Sequence, residues 1–394
     1  MIARRHALGL MAGTAAALPF GGLRVALAAM AGEKRLVVVI LRGALDGLAA
    51  VPPYADPDYR SVRGALAFKD ELLDLDGKFG LHPSLAALHE MYRARELLAV
   101  HAVATPYRSR SHFDAQDLLE NGTAEARGAR DGWLNRAIGL MGAGDRRLGL
   151  AVGETVPLLL RGSAPVSAWA PQLLPALDAD FLAQLAALYR ADPLFGPAIR
   201  EGVAAQRMND SVLGEDGKMA SAGPRVMLKT ASGAVGKLLA DKAGPRVAVL
   251  EVGGWDTHAN QGVRDGRLAN VLTMLDEGLG ALKTSLGPAW RDTAVLVVTE
   301  FGRTAAPNGT NGTDHGTGGV AFLAGGGVAG GRVATRWPGL ARLFEGRDVA
   351  PTLDLRAVAK GVLSEHLGLD PAAVDRVVFP NSGDIAALRG LARA

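Results

Sequence analysis

The chain has 394 residues, 48% of them hydrophobic, and no cysteine, so it can bury a large core unaided, and both disulfides and thiolate metal ligands are excluded. Lysine and arginine number 43 against 40 aspartates and glutamates. Arg4, Arg5 and Arg24 fall in an amino-terminal stretch that carries no acid; without it the charges balance, leaving no electrostatic footprint for nucleic acid or anionic lipid.

That amino terminus stands apart. Arg4-Arg5, the apolar run from Ala7 to Leu18 and the small-residue stretch Ala26 to Ala31 read as a twin-arginine export signal over residues 1–31. Its apolar part is too short and glycine-rich for a stable membrane span. Residues 32–394 are expected to fold as a single domain and to act in the periplasm or outside the cell.

Arg35–Leu41 is a continuous apolar run, the pattern of a strand buried on both faces, and it passes directly into Asp46-Gly47. Asp46 there is either a first-strand metal ligand or an ordinary Asp-Gly turn residue. His82-Pro83-Ser84 opens a helix with Leu85, Leu88, Met91 and Tyr92 at core-facing spacing, so His82 reads as a loop histidine packed at the helix start. Leu97–Val103 is a second strand, with His101 in its middle as a core histidine. Thr105 to Asp114 then leads into a helix that ends near Asn121-Gly122, with Ser111 and Asp114 in capping-box spacing. A helix start just after a strand offers backbone N–H groups to an anion. Arg108 and Arg110 could add forked donors and Ser109 or Ser111 a nucleophilic hydroxyl; plain capping by Ser111 is the competing reading. His112 and Asp114 lie within reach of the same edge.

Leu148–Val152 and Val156–Leu160 look like short strands. Residues 174–240 are rich in alanine and leucine and suit a helical insertion or cap, because their apolar faces need a sheet to pack against. Two more apolar, β-branched runs follow, Val247–Val252 and Ala294–Val298, joined by a helix from Asp265 to Leu286 with Leu268, Val271, Leu272, Leu275, Leu279 and Leu282 on one stripe. The closing helix runs from Leu355 to Leu367, with Asp354 as its cap.

The chemistry collects where those two runs end. Asp256 and His258 follow the first, at a spacing that points both side chains the same way in an extended segment. Glu300 ends the second, and Asp314-His315 lies in a loop flanked by glycines. Open α/β sheets place ligands at the carboxyl ends of their strands, so Asp256, His258, Glu300, Asp314 and His315, with Asp46, are a candidate metal set. Oxygen and imidazole donors without sulfur suit zinc, manganese or magnesium.

The segments LRGALDGL, FGLHPSL, SHFDAQDLLENG, VLEVGGWDTHANQ, TEFGRT, GTDHGTGG and DLRAVAKGVL, together with the export signal, resemble the secreted bacterial "domain of unknown function 1501" (DUF1501) family over nearly the whole mature chain. That family is similar to the alkaline phosphatase and sulfatase superfamily. The resemblance implies an α/β fold with a mostly parallel sheet sandwiched by helices, and one or two divalent metals at its carboxyl edge. It matches Asp46 to the first-strand carboxylate, Asp256 and His258 to the Asp/His pair, Glu300 to the next carboxylate and His315 to the last histidine. Ser109 or Ser111 then lies near the nucleophile's place. The pair spacing of two, where the superfamily has four, and Glu-Phe-Gly in place of Asp-His-Gly are departures. No cysteine exists to become formylglycine, which argues against a standard sulfatase.

The expected function is a secreted metal-dependent hydrolase of phosphate or sulfate esters, using a metal-activated water or serine, with Arg108, Arg110 or Arg303 neutralising developing charge. Its substrate would be a small anionic ester or an anionic polymer. The alternative is a non-catalytic secreted protein that keeps the fold and binds a partner protein or surface polymer.

Overall fold

The structure is a computed structural model that describes residues 34–142, 148–170, 179–192 and 223–393, with Phe195, Gly196, Ile199 and Val203. The expected export signal lies outside the described residues. Among those described, no helix is long and apolar enough to cross a membrane.

Five of the six apolar runs form the strands they predict. β1 (Arg35–Leu41), β2 (Leu97–Ala104), β3 (Gly149–Val152), β4 (Val166–Trp169), β5 (Val247–Val252), β6 (Thr293–Thr299), β7 (Gly319–Ala324) and β8 (Arg332–Ala334) lie in the order β8-β2-β7-β6-β1-β5-β3-β4, and Leu353–Asp354 adds a ninth strand against β2. β1 is central and parallel to both neighbours, with Leu36 opposite Val247 and Ala294. Only β7 runs against the rest, between β2 and β6.

Because the side-chain period of a strand is two, β1 feeds both faces of the sheet. Val37, Val39 and Leu41 pack into one core with the helices α1 (Ala86–Arg93), α5 (Pro224–Ala240) and α6 (Arg267–Leu286). Leu36, Val38 and Ile40 pack into the other with α3 (Trp133–Leu140) and α7 (Leu355–Gly361). The fold is α/β, a mostly parallel sheet between helical layers. Burial of this kind contributes about 25 cal/mol per Å² of apolar surface.

Several expectations change in detail. Val156–Leu160 is not a strand: Pro157 leads into a single 3₁₀ turn, Leu158–Leu160, that buries Leu159 and Leu160, and the strand beside β3 is Val166–Trp169. The region 174–240 holds two described helices, α4 (Ala179–Leu188) and α5. α5 buries Ala231, Ala234, Val235 and Leu239 in the core against α6, so it belongs to the main helical layer and not to a cap. Asp354 caps α7 by accepting from the Arg356 N–H. Ser111 occupies the N-cap position of α2 (His112–Asn121), but its side chain makes no capping hydrogen bond.

Candidate metal centre

Because β1, β2, β5 and β6 share one direction, their carboxyl ends lie on one edge, and the loops 42–46, 105–111, 253–266 and 300–318 meet there. Gly43 makes the meeting possible. Its φ of +119° and a would-be Cβ only 2.7 Å from the Asp256 nitrogen exclude other residues. Its own N–H donates to Glu300 Oε1 at 2.8 Å. The loops after β5 and β6 are laced together: the Asn260 N–H donates to Thr310 O, Gln261 N–H to Asn311 O and Thr313 N–H to Thr257 O. A side chain at Gly312 would strike the His258 carbonyl at 2.3 Å.

Three imidazoles converge on this edge. His315 Nε2 lies 2.9 Å from His112 Nε2 and 2.9 Å from His258 Nε2. Asp256 Oδ1 is 3.0 Å from His258 Nε2 and 3.5 Å from His315 Nε2, and its Oδ2 is 3.6 Å from His112 Nε2. Among the described residues, ligand atoms of His112, Asp256 and His315 all lie within 4.8 Å of one another, a spacing that a single ion can bridge.

The far nitrogen of each ring decides what this cluster is. His112 Nδ1 meets the Glu300 carboxylate at 2.8 Å, His258 Nδ1 meets Asp314 Oδ1 at 3.0 Å, and His315 Nδ1 meets the Arg110 carbonyl at 2.9 Å. Carbonyls and ionised carboxylates only accept, so each Nδ1 carries a proton and each ring turns its Nε2 into the cluster. Ligand atoms of His112, His315 and the Asp256 carboxylate then share one space, with His258 Nε2 beside them, an arrangement of electron-rich atoms that a cation between them would stabilise. Histidine ligands held from behind by carboxylates or carbonyls are the usual support of a metal site. The residues fit a divalent ion.

Supporting groups surround the cluster. Glu300 is fully buried, and its carboxylate takes hydrogen bonds from Gln116, Gly43 and the Thr299 hydroxyl as well as His112. Burial works to raise its pKa, but these donors outweigh it and hold the carboxyl low; the same hydrogen bond to Glu300 raises His112. Arg303 is buried, donates from Nη1 to Asp256 Oδ1 at 2.6 Å and from Nε to the Thr313 hydroxyl at 3.1 Å. Burial favours protonated Asp256, yet Arg303 overrides it and keeps the carboxylate ionised. Phe301, buried, lies against both the His112 and His315 rings, with centroids at 4.9 and 5.2 Å, and fixes their planes.

The expected metal set is therefore revised. Asp256 and His315 face the common point, and His258 stands beside it, with Nε2 2.9 Å from His315 Nε2 and 3.0 Å from Asp256 Oδ1. Glu300 and Asp314 stand behind histidines instead of at the point itself. Asp46 is not in the cluster: it is buried, caps the short helix Gly47–Ala50, and is paired with Arg63 and hydrogen-bonded by Gln261 at 2.7 Å. His112, placed at the edge by sequence but not among the ligands, completes the set. Of the expected charge-neutralising residues, Arg303 is committed to Asp256 and Thr313, and Arg108 to the carbonyls of Thr105 and Tyr107, where it braces the turn between β2 and α2. Arg110 is paired with Glu345 and Asp348. Ser109 is exposed, and Ser111 directly precedes His112.

Fold and cluster together define an α/β protein with a candidate metal centre at the carboxyl edge of its sheet. The chain belongs to the family described as "Protein of unknown function (DUF1501)", whose model matches residues 33–378. No curated protein matches the chain. Solved structures similar to it include the carboxyl-terminal periplasmic domain of EcEptC from Escherichia coli in complex with zinc (12% identity, 92% of this chain and 93% of that one, TM-score 0.40). The lipoteichoic acid synthase LtaP from Listeria monocytogenes (12%, 89% and 75%, 0.39) and the phosphonate monoester hydrolase of Agrobacterium radiobacter (12%, 90% and 76%, 0.37) are two others. At such scores nothing about activity follows from them.

Proposed function

We propose that this protein is a secreted, metal-dependent hydrolase of phosphate or sulfate esters whose ion is held by His112, Asp256, His258 and His315. The observation that carries the reading is the cluster itself: ligand atoms of His112, Asp256 and His315 within 4.8 Å of one another, His258 Nε2 2.9 Å from His315 Nε2, and each ring backed at Nδ1 by an acceptor-only partner. A nitrogen-rich donor set favours zinc over magnesium, which prefers oxygen and water. When bound, such an ion supplies Lewis acidity toward an ester oxygen and acidifies water.

The chain's own residues prepare that chemistry. Glu300, Asp314 and the Arg110 carbonyl orient the rings, and Arg303 keeps Asp256 ionised and in place. The side chains of Asp256 and His258 are 42% and 45% exposed, so the cluster opens to solvent on one side, where an anionic ester or polymer chain can approach. Structural zinc sites are closed, and catalytic ones keep such a side open. The Ser111 hydroxyl, one residue before His112 and unused in capping, is the better placed of the two serine nucleophiles; water is the other.

The test is to assay protein exported by its own host for bound metal and against a panel of phosphate and sulfate monoesters and diesters, with His315→Ala, Ser111→Ala and Ser109→Ala beside it. Metal-dependent hydrolysis lost in His315→Ala supports the reading, and loss in Ser111→Ala assigns the nucleophile. Stoichiometric metal with no turnover of any ester would favour a non-catalytic binding protein.

A further inference from the structure

We infer that Gln261 is a positioning residue that sets the separation of the two metal-bearing loops, anchored from beneath by the Asp46–Arg63 ion pair. This rests on the metal-centre reading above and adds to it a residue that touches no ligand atom.

The inference follows from which side-chain atoms can donate. Arg63 is fully buried, its Nη2 pairs with Asp46 and its Nη1 donates to the carbonyls of Thr304 and Ala305. Asp46 has no proton to give, so the neighbouring Gln261 must turn its amide nitrogen toward it, at 2.7 Å. That fixes the flip of the amide. Its carbonyl oxygen must then face the other way, where it accepts from Thr257 Oγ1 at 2.7 Å and Thr313 Oγ1 at 2.8 Å. Thr257 lies between Asp256 and His258, and Thr313 immediately precedes Asp314 and His315. With its hydroxyl proton committed to Gln261, Thr313 accepts from Arg303 Nε, and Arg303 Nη1 in turn holds Asp256.

A single buried relay therefore runs Arg63, Asp46, Gln261, Thr257 and Thr313, Arg303, Asp256. Gln261, Thr257 and Thr313 are each 0% exposed. Apart from Arg63 Nε, the donors that link its members have defined acceptors, and only one orientation of the Gln261 amide satisfies them. Such a network has one low-energy geometry, because a displaced member leaves a buried polar group unpaired. The same relay accounts for Asp46, which the sequence offers as a metal ligand. A guanidinium supplies its counter-charge, and its work is to orient Gln261.

The experiment compares wild type with Gln261→Met, which keeps length and removes both hydrogen-bonding ends, and with Thr257→Val, which removes one hydroxyl donor at constant shape. Zinc affinity is read by competition with a chromophoric chelator, and ligand geometry by the visible absorption of the cobalt-substituted protein. Folding is checked by circular dichroism of the metal-free chains. Gln261→Met is expected to weaken zinc binding by about 10- to 100-fold, the range usual for outer-shell partners, and to shift and weaken the cobalt bands; Thr257→Val should do the same to a smaller extent. If Gln261→Met does not fold, Thr257→Val alone decides. Folded variants with wild-type affinity and an unchanged cobalt spectrum would overturn the role of Gln261 while leaving the metal centre intact. Wild type that takes up neither zinc nor cobalt would overturn both.

Discussion

Histidines occur in two settings in this molecule, and the contrast separates structure from chemistry. In the interior, His82 accepts from the Ser84 N–H at Nδ1 and meets the Val263 carbonyl at Nε2; His101 accepts from the Ala102 N–H and meets the Val51 carbonyl. Both nitrogens are consumed by backbone, and each ring is a satisfied polar wedge in a dry core. At the carboxyl edge, His112, His258 and His315 each place Nδ1 on an acceptor and turn Nε2 into the cluster, His112 and His258 toward His315, and His258 also toward Asp256 Oδ1. Residue type is the same in both places. What differs is the company of the second nitrogen: backbone for His82 and His101, other imidazoles and the Asp256 carboxylate at the edge.

If the contrast is right, changes at the edge act on metal and changes in the interior act on stability. The largest effect is expected from His315→Ala, whose Nε2 faces both other rings. A zinc site worth roughly 10–16 kcal/mol shared by four ligands assigns about 2.5–4 kcal/mol to each, so zinc affinity should fall by on the order of a hundred- to a thousandfold while the metal-free chain unfolds at the wild-type temperature. Equilibrium dialysis and calorimetry read these separately.

The interior should answer to pH instead. Burial pushes His101 down to about 4, and the unfolded chain restores the ordinary value near 6.5. Between those values the unfolded state binds a proton that the folded state refuses, so stability is complete above about 6.5 and falls as pH drops toward 4. At about 1.4 kcal/mol per pH unit the loss approaches on the order of 3 kcal/mol. His366, also lowered to about 4 by burial, adds to it in the same window. Denaturant midpoints measured from pH 7 to 4 check the slope, and His101→Leu should flatten it without altering zinc affinity at pH 7.

Smaller effects come from the groups behind the rings. Glu300→Gln replaces a buried carboxylate that fixes His112 with a neutral amide and should weaken zinc about 10- to 100-fold. Asp314→Asn acts on His258 from a side chain that is 52% exposed, where solvent screens the charge, so a loss within about tenfold is expected. Chelator competition ranks the two, and an equal or reversed order would break the distinction between buried and exposed support.

Much of the fold was legible because apolar runs and helical stripes are local signals. Arg35–Leu41, Val247–Val252 and the 267–286 helix stand where their patterns place them. Val156–Leu160 failed because a short apolar run after a proline can bury its leucines in a single turn as well as in a strand. The edge of the site was legible for the same reason, since strand ends locate Asp256, Glu300 and the 314–315 loop. Its internal roles were not. Nothing local distinguishes a carboxylate that faces an ion from one that backs a histidine, and Glu300 and Asp314 differ from Asp256 only in what lies across the loops. Asp46 was misassigned because its partner, Arg63, is 17 residues away at the end of the short helix Tyr59–Arg63. His112 looked like part of a helix start, and only the folded position of β2 shows that its ring meets that of His315.

X-ray absorption at the zinc edge of the purified, metal-loaded protein tests the reading most directly, because imidazole gives a multiple-scattering signature that carboxylate and water lack. One zinc per chain with three imidazole ligands is the expected result, falling to two in His112→Ala. No zinc uptake, or an ion bound by oxygen alone, would contradict it.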